Sequence, residues 1–423
     1  MNLKQKIKKL FKYLGPGFIT GASDDDPSGI ATYSQAGAQF GYHQLWTALF
    51  SLPFLTVIQE ISGRIGMVTG KGLSSVIRNY YSKKILYFAI ILLFISNTVN
   101  IGADLGAMAS SMQLLVKLPF SVLLLAMTAL ILILEIFITY KTYAKFLKYL
   151  AISLIGYVIT AFAVKQNWSE VLLSTIMPTI LWNKAYLLNI AAILGTTISP
   201  YLFFWQSNEE VEEEVANHKL KEMGVGTPKI NESDIRGLRI DTAFGMFFSN
   251  FITFFIILTA AATLARFGIM DVDTADKAAL ALRPIAGNFA YLLFTVGIIG
   301  TALLSVPILA GSAAYAAAEA FNWKEGLYKK FSKAHGFYGI ITVATIIGLM
   351  INFTPIPPFK VLYYAAALNG ILAPPLMALI MIISNNEKIM GKHTNSRISN
   401  ILGWFITVVM AIVAVAFIYS LLS

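Results

Sequence analysis

Apolar residues come in blocks of about 17 to 25, the length that crosses a bilayer as one helix. Eleven such runs, centred near residues 27, 54, 101, 130, 153, 198, 250, 302, 345, 371 and 410, predict eleven spans. Two of them are broken from within. The first, from Leu14 to Ala38, carries Asp24, Asp25 and Asp26 followed by Pro27, Ser28 and Gly29. Each acid near a helix centre costs roughly 2.5–3.5 kcal/mol on insertion scales, so acids at that depth point to function. Pro27 removes a backbone donor and Gly29 tolerates dihedrals that a helix does not supply, so the helix is expected to stop at the acids. The sixth run carries Gly195, Thr196, Thr197, Ile198, Ser199 and Pro200. Proline alone would read as a kink, which membrane helices tolerate; here it is joined by three hydroxyls.

The two interrupted runs are five spans apart. An odd number of spans per repeat inverts the second copy, so the pattern divides one polytopic membrane domain, 1–423, into a first repeat (1–165), a second repeat (185–385) and an additional span 11 (398–421). Interrupted spans at corresponding places in inverted repeats point to a transporter site near mid-membrane, where freed carbonyls and a carboxylate can hold a cation.

Charge sets the expected orientation. Of the 32 Lys and Arg, 25 fall on the side of the N-terminus, among them Lys4, Lys6, Lys8, Lys9, Lys12, Lys141, Lys145 and Lys148. Only Lys117, Lys165, Lys184, Arg266, Lys277, Arg283 and Lys360 fall opposite. Basic loops stay inside, so the chain is expected in the plasma membrane with a cytoplasmic N-terminus and an external C-terminus, span 1 serving as its own targeting signal. This asymmetry accounts for the net charge of +10 without a nucleic-acid partner. With 57% hydrophobic and 13% charged residues and a mean hydropathy of +0.69, the chain cannot coat a soluble globule. It has no cysteine, which excludes disulfides and thiolate ligands. No HExxH, GxSxG or paired His/Asp arrangement lies within the spans. A transporter rather than an enzyme is expected, with no cofactor and no obligate protein partner.

Gly15, Pro16, Gly17 and Phe18, then Asp26, Pro27, Ser28, Gly29, Ala31 and Thr32, resemble the first span of the Nramp family of divalent-metal transporters, whose motif there is Asp-Pro-Gly-Asn. Gly195 to Ser207 is similar to that family's sixth-span motif, Gly-Ala-Thr-Val-Met-Pro-His-Asn-Leu-Tyr-Leu-His-Ser. The resemblance covers essentially the whole chain. It implies an all-α, leucine-transporter-like fold of two inverted five-span repeats plus an eleventh span, with spans 1 and 6 discontinuous.

Carried over by position, the resemblance implies a metal site at Asp26, Gly29, Thr196 and Ser199, with Asp24, Asp25, Thr197 and Asn369 as secondary candidates. Asp26 keeps the family's carboxylate ligand. Gly29 stands where the family has asparagine, Ser199 where it has methionine, and Thr196 where it has alanine. A thioether favours softer metals, whereas hydroxyl, carbonyl, carboxylate and water suit magnesium, calcium and manganese. This roomier all-oxygen pattern is similar to the divergent Nramp-related magnesium transporters. Magnesium keeps several waters because it dehydrates reluctantly, so partly hydrated Mg2+, with Mn2+ as co-substrate, is the expected cargo. Adjacent helix residues point about 100° apart, so Asp24 and Asp25 cannot both join Asp26 at one ion.

The family's proton relay, an acidic pair on span 3 and a histidine on span 6, appears here as Asn100, Ala103 and Tyr201. Asp104 sits one residue past the family's acid and is expected to make an interhelical contact, leaving transport uncoupled from protons. Two alternatives share the fold: a proton-coupled Mn2+/Fe2+ transporter, and a sodium-coupled carrier of organic solutes, disfavoured because three acids repel an anion. Asn369 reads equally as an interhelical contact, and the run Glu209, Glu210, Glu212, Glu213 and Glu214 as a solvated helix end.

Overall fold

The structure, a computed structural model, describes residues 15–137 and 154–422, and these are helical with no strand. The basic residues from Lys4 to Lys12, Lys141, Lys145, Lys148 and most of the fifth expected run lie outside the described residues.

Among the described residues, seven helices are long and apolar enough to cross a membrane. They supply span 3 (Lys83–Gln113), span 4 (Phe120–Phe137), span 6 (Lys184–Thr197 and Pro200–Ala216), span 7 (Glu232–Thr263), span 8 (Ala290–Phe321), span 10 (Pro358–Ser384) and span 11 (Arg397–Leu422). The remaining runs are helical but do not pass that test singly, although Pro27–Gln44 and Trp46–Thr69, bent by 104° at the break between them, pass it together. Span 1 is cut into Pro16–Asp24 and Pro27–Phe40, span 2 (Trp46–Thr69) carries Glu60 and Arg64, and span 9 (His335–Ile351) has only 17 residues. Span 5 is described only as Ile155–Ala163. Short helices outside the expected runs include Leu73–Tyr80 between spans 2 and 3 and Trp168–Ile176 between spans 5 and 6.

Packing follows the repeat. Both halves of span 1 lie along span 7, and the second half of span 6 lies along span 2. Exchanging the repeats turns one contact into the other. Spans 3 and 8, which exchange with each other, also pack together. Without a hydrophobic drive between helices in lipid, such contacts depend on small residues that let backbones approach. A Cβ built on Gly21 would lie 2.3 Å from the Gly245 carbonyl oxygen of span 7, and one on Gly66 would lie 2.0 Å from the Ser207 carbonyl oxygen of span 6. Glycine at these two positions brings the interrupted spans against their neighbours.

Overpacking a closed contact costs roughly 1–3 kcal/mol. Gly66→Ala should therefore lower the thermal unfolding midpoint of the purified protein. Gly339→Ala on span 9, where an added Cβ meets nothing within 4 Å, should leave it unchanged.

Candidate functional site

The two interruptions have the same local construction. In span 1 the first half ends at Asp24. Asp25 (φ −82°, ψ 51°) and Asp26 (φ −71°, ψ 172°) leave the helix, and Pro27 opens the second half. In span 6 the first half ends at Thr197. Ile198 (φ −114°, ψ 63°) and Ser199 (φ −82°, ψ 134°) leave the helix, and Pro200 opens the second half. Proline suits a first helical position because its missing N–H would be unpaired there anyway. Asp26-Pro27 and Ser199-Pro200 are thus counterparts. Asp26 Oδ1 accepts from the Gly29 amide at 2.7 Å and from the Ser28 hydroxyl at 2.7 Å. This caps the new helix and places a negative charge at its positive end.

The interruptions meet. Ser28 Oγ lies 3.2 Å from Thr196 Oγ1, and Tyr33 OH lies 3.1 Å from Thr197 Oγ1. Gly29 faces the space between them: an added Cβ would lie 3.4 Å from the Asp24 carbonyl oxygen, 3.4 Å from Thr196 Oγ1 and 3.1 Å from the Tyr33 ring. Asp26, Ser28, Gly29 and Thr196 are therefore one constellation, its donors carboxylate, hydroxyl and carbonyl oxygen. Asp24, Asp25, Asp26, Thr196, Thr197 and Ser199 are each at most 1% exposed.

The other residues are placed differently. The Ser199 hydroxyl donates to the Gly195 and Thr196 carbonyls of its own first half-helix, at 2.8 and 2.7 Å. Its proton is committed there, so only its oxygen lone pairs could serve an ion. Asp24 and Asp25 turn to span 7, where Ser249 Oγ lies 2.6 Å from Asp24 Oδ2 and 3.5 Å from Asp25 Oδ1. Their second oxygens, Asp24 Oδ1 and Asp25 Oδ2, are buried with no hydrogen-bond partner among the described residues. Asn369 is engaged elsewhere. Its Oδ1 accepts from Ser96 at 2.5 Å and Asn100 at 2.8 Å, and its amide donates to Asn100 Oδ1 at 3.3 Å, so its polar atoms join spans 3 and 10. Asp104 accepts from Ser305 of span 8 at 2.6 Å. Among the described residues, no three of His, Cys, Asp and Glu are grouped to hold a metal. The constellation relies on neutral oxygens around a carboxylate instead.

The model of the family described as natural resistance-associated macrophage protein-like, Nramp, matches residues 17–420. The chain belongs to the Nramp family. A relative from Klebsiella pneumoniae subsp. pneumoniae, named divalent metal cation transporter MntH, is 26% identical over 94% of this chain and 91% of its own length. The crystal structure of the Eremococcus coleocola manganese transporter superposes with a TM-score of 0.76 at 15% identity, over 99% of this chain and 88% of that one. Mhp1, a nucleobase-cation-symport-1 family transporter, gives a TM-score of 0.57 at 12% identity, over 96% and 92%. The fold of this Nramp chain is accordingly the leucine-transporter-like one, two inverted five-span repeats and an eleventh span with spans 1 and 6 discontinuous.

Sequence reasoning overlooked Ser249 and Tyr33, although a serine inside the apolar run of span 7 was itself a signal. Its reading of the acidic run of this Nramp chain as a solvated helix end holds for Glu213, which is exposed, and fails for Glu210 and Glu214. Glu210 and Glu214 are each 3% exposed. Glu212 accepts from the Leu327 amide at 2.6 Å and from the Tyr315 hydroxyl, tying span 6 to span 8 and the loop after it. In that loop burial, reinforced by the neighbouring Glu319 charge, pushes Glu325 up to about 10, so it keeps its proton at neutral pH.

Proposed function

We propose that this chain is a secondary transporter of divalent metal cations, with partly hydrated Mg2+ as principal cargo and Mn2+ as co-substrate, working by alternating access and not as an enzyme. One observation carries the reading. Three carboxylates lie buried where two interrupted spans meet, and among the described residues no ion pair includes any of them. Burying unpaired charge costs several kcal/mol per ion, and a dication at the gap offsets it. The names of the relatives support a divalent metal as the cargo.

The donor set supports a hard ion. Asp26 is the anion, direct or through water. The Ser28 and Thr196 hydroxyls and the Asp24 carbonyl lie about Gly29, which leaves room for retained water, and in this reading the lone pairs of Ser199 join them. Asp24 and Asp25, held by Ser249, raise the local negative potential without sharing the coordination sphere. The site is closed to solvent, so in this reading ions reach it only when elements of the two repeats, taken as 1–165 and 185–385, move apart. The plasma membrane and a cytoplasmic N-terminus suit the basic residues of the N-terminal side, several of which meet at one end. Arg64 and Arg239 share Glu60 at 3.0 and 3.1 Å, and Lys392 lies 3.8 Å from Glu232.

Proton coupling is absent in this reading. At the relay positions Asn100 is bound to Asn369, and the Tyr201 hydroxyl donates to the Ser23 carbonyl at 3.2 Å. Neither side chain exchanges protons readily at neutral pH. The manganese transporter among the similar structures supports Mn2+ as a cargo, which the second reading, a proton-coupled Mn2+/Fe2+ carrier, shares.

Asp26→Ala should abolish saturable Mg2+ and Mn2+ uptake into proteoliposomes; uptake at the parental rate would remove the site. Ser199→Met should shift preference toward Cd2+, read as competition against Mn2+ uptake, and an unchanged ranking would refute the oxygen-donor argument. A pH-sensitive dye inside the vesicles should report no acidification during uptake, whereas acidification in step with metal entry would establish the second reading.

A further inference from the structure

We propose that Asp241 of span 7 is the latch that holds the N-terminal half of span 1 closed, a positioning residue for the acids at that rod's far end. Pro16–Asp24 is a nine-residue helix whose own N-cap, Gly15, offers no side chain. Asp241 supplies the cap from another span: Oδ1 accepts from the Gly15 amide at 2.9 Å and Oδ2 from the Gly17 amide at 2.7 Å. A carboxylate taking two amides at the positive end of a helix is a charge-assisted, directional clamp. The sequence is shaped to it. A Cβ on Gly15 or Gly17 would come within 3.0 or 2.9 Å of Asp241 Oδ2, and one on Gly17 within 2.7 Å of the Thr242 amide nitrogen.

At its other end the rod leaves helical geometry at Asp25 and Asp26, so no helical ladder ties it firmly to the second half. Between clamp and hinge it lies on span 7 through Gly21 against Gly245 and Phe18 against Phe244 and Phe248, both ring pairs at 5.8 Å. Glycine and ring contacts can slide; the two hydrogen bonds from the Gly15 and Gly17 amides to Asp241 must break before the rod leaves span 7. Asp241 is 7% exposed and Gly15 is half-buried, so both can be solvated where they separate. The clamp thereby sets whether Asp24 and the hinge acids stay where the interruptions meet. Its consequence for uptake rests on the transport reading, but its existence does not.

The chain has no cysteine, so single reporters are free of background. Ala22→Cys, on a residue 5% exposed in the rod, and Ala310→Cys, on a fully buried residue of span 8, would be reacted with a maleimide in the full-length protein in nanodiscs without metal. Asp241→Ala should speed labelling at position 22 about tenfold or more, the scale of losing charge-assisted bonds, and leave position 310 unchanged. Gly17→Ala keeps the carboxylate but pries the clamp, and should act in the same direction. If Asp241→Ala does not fold, Gly17→Ala decides. An unchanged rate at position 22 in the folded variants, or equal acceleration at both positions, would overturn the latch. Loss of metal uptake with unchanged labelling would count against it while leaving the transport reading intact.

Discussion

Three aspartates buried where two interrupted spans meet, with no basic side chain among the described residues in an ion pair with any of them, are the constraint from which the rest of this molecule follows. In a continuous helix such a cluster would have no means of compensation. Interrupting the span supplies it in part: Asp26 caps the helix that begins beside it, and Ser249 reaches across from span 7 to Asp24 and Asp25. Two of their carboxylate oxygens remain buried with no hydrogen-bond partner among the described residues. In the transport reading proposed above a passing cation completes that set, which would link the cost of the cluster to its use.

The interruptions also need scaffolding. A half-helix has lost the backbone ladder that would hold it in line, so its position is set by packing from outside. Span 7 does this for span 1 and span 2 for span 6, an exchange that follows from the inverted repeat. Close packing comes from glycines that let backbones touch, at Gly21 with Gly245 and at Gly66 with Ser207. Directional fixing comes from polar groups on the neighbours. Asp241 holds the start of the first rod, and the Tyr201 hydroxyl holds the Ser23 carbonyl near its end. The same division recurs away from the site, where Asn369 ties span 10 to span 3 and Glu212 ties span 6 to span 8.

That recurrence explains the residues that a linear reading assigned poorly. Asn369 and the acidic run after span 6 are polar residues at or beside apolar helices, and such residues have three possible employers: an ion, water or another helix. Local sequence does not separate these. For Asn369 the described partners are Ser96 and Asn100, more than 250 residues away along the chain. For Glu210 and Glu214 it was burial, which depends on what covers the helix end. Ser199 shows a subtler limit. Its position at the interruption was legible, but the direction of its hydroxyl, back to Gly195 and Thr196, depends on carbonyls freed by the local geometry.

By itself the sequence determined the helical runs, the two interruptions and the oxygen-only chemistry at them. These are local properties: run length sets a span, Pro27 and Pro200 stop a ladder, and a serine has no sulfur whatever surrounds it. Only the tertiary structure decided which hydroxyls face each other, that Ser28 meets Thr196 and Tyr33 meets Thr197, and that Asp24 and Asp25 turn to Ser249 while Asp26 turns to the second half-helix. It also decided that Asp241 clamps a helix start more than 220 residues earlier. Helix periodicity says which residues share a face, but not which neighbour that face meets. The neighbour is chosen by how all the spans pack at once.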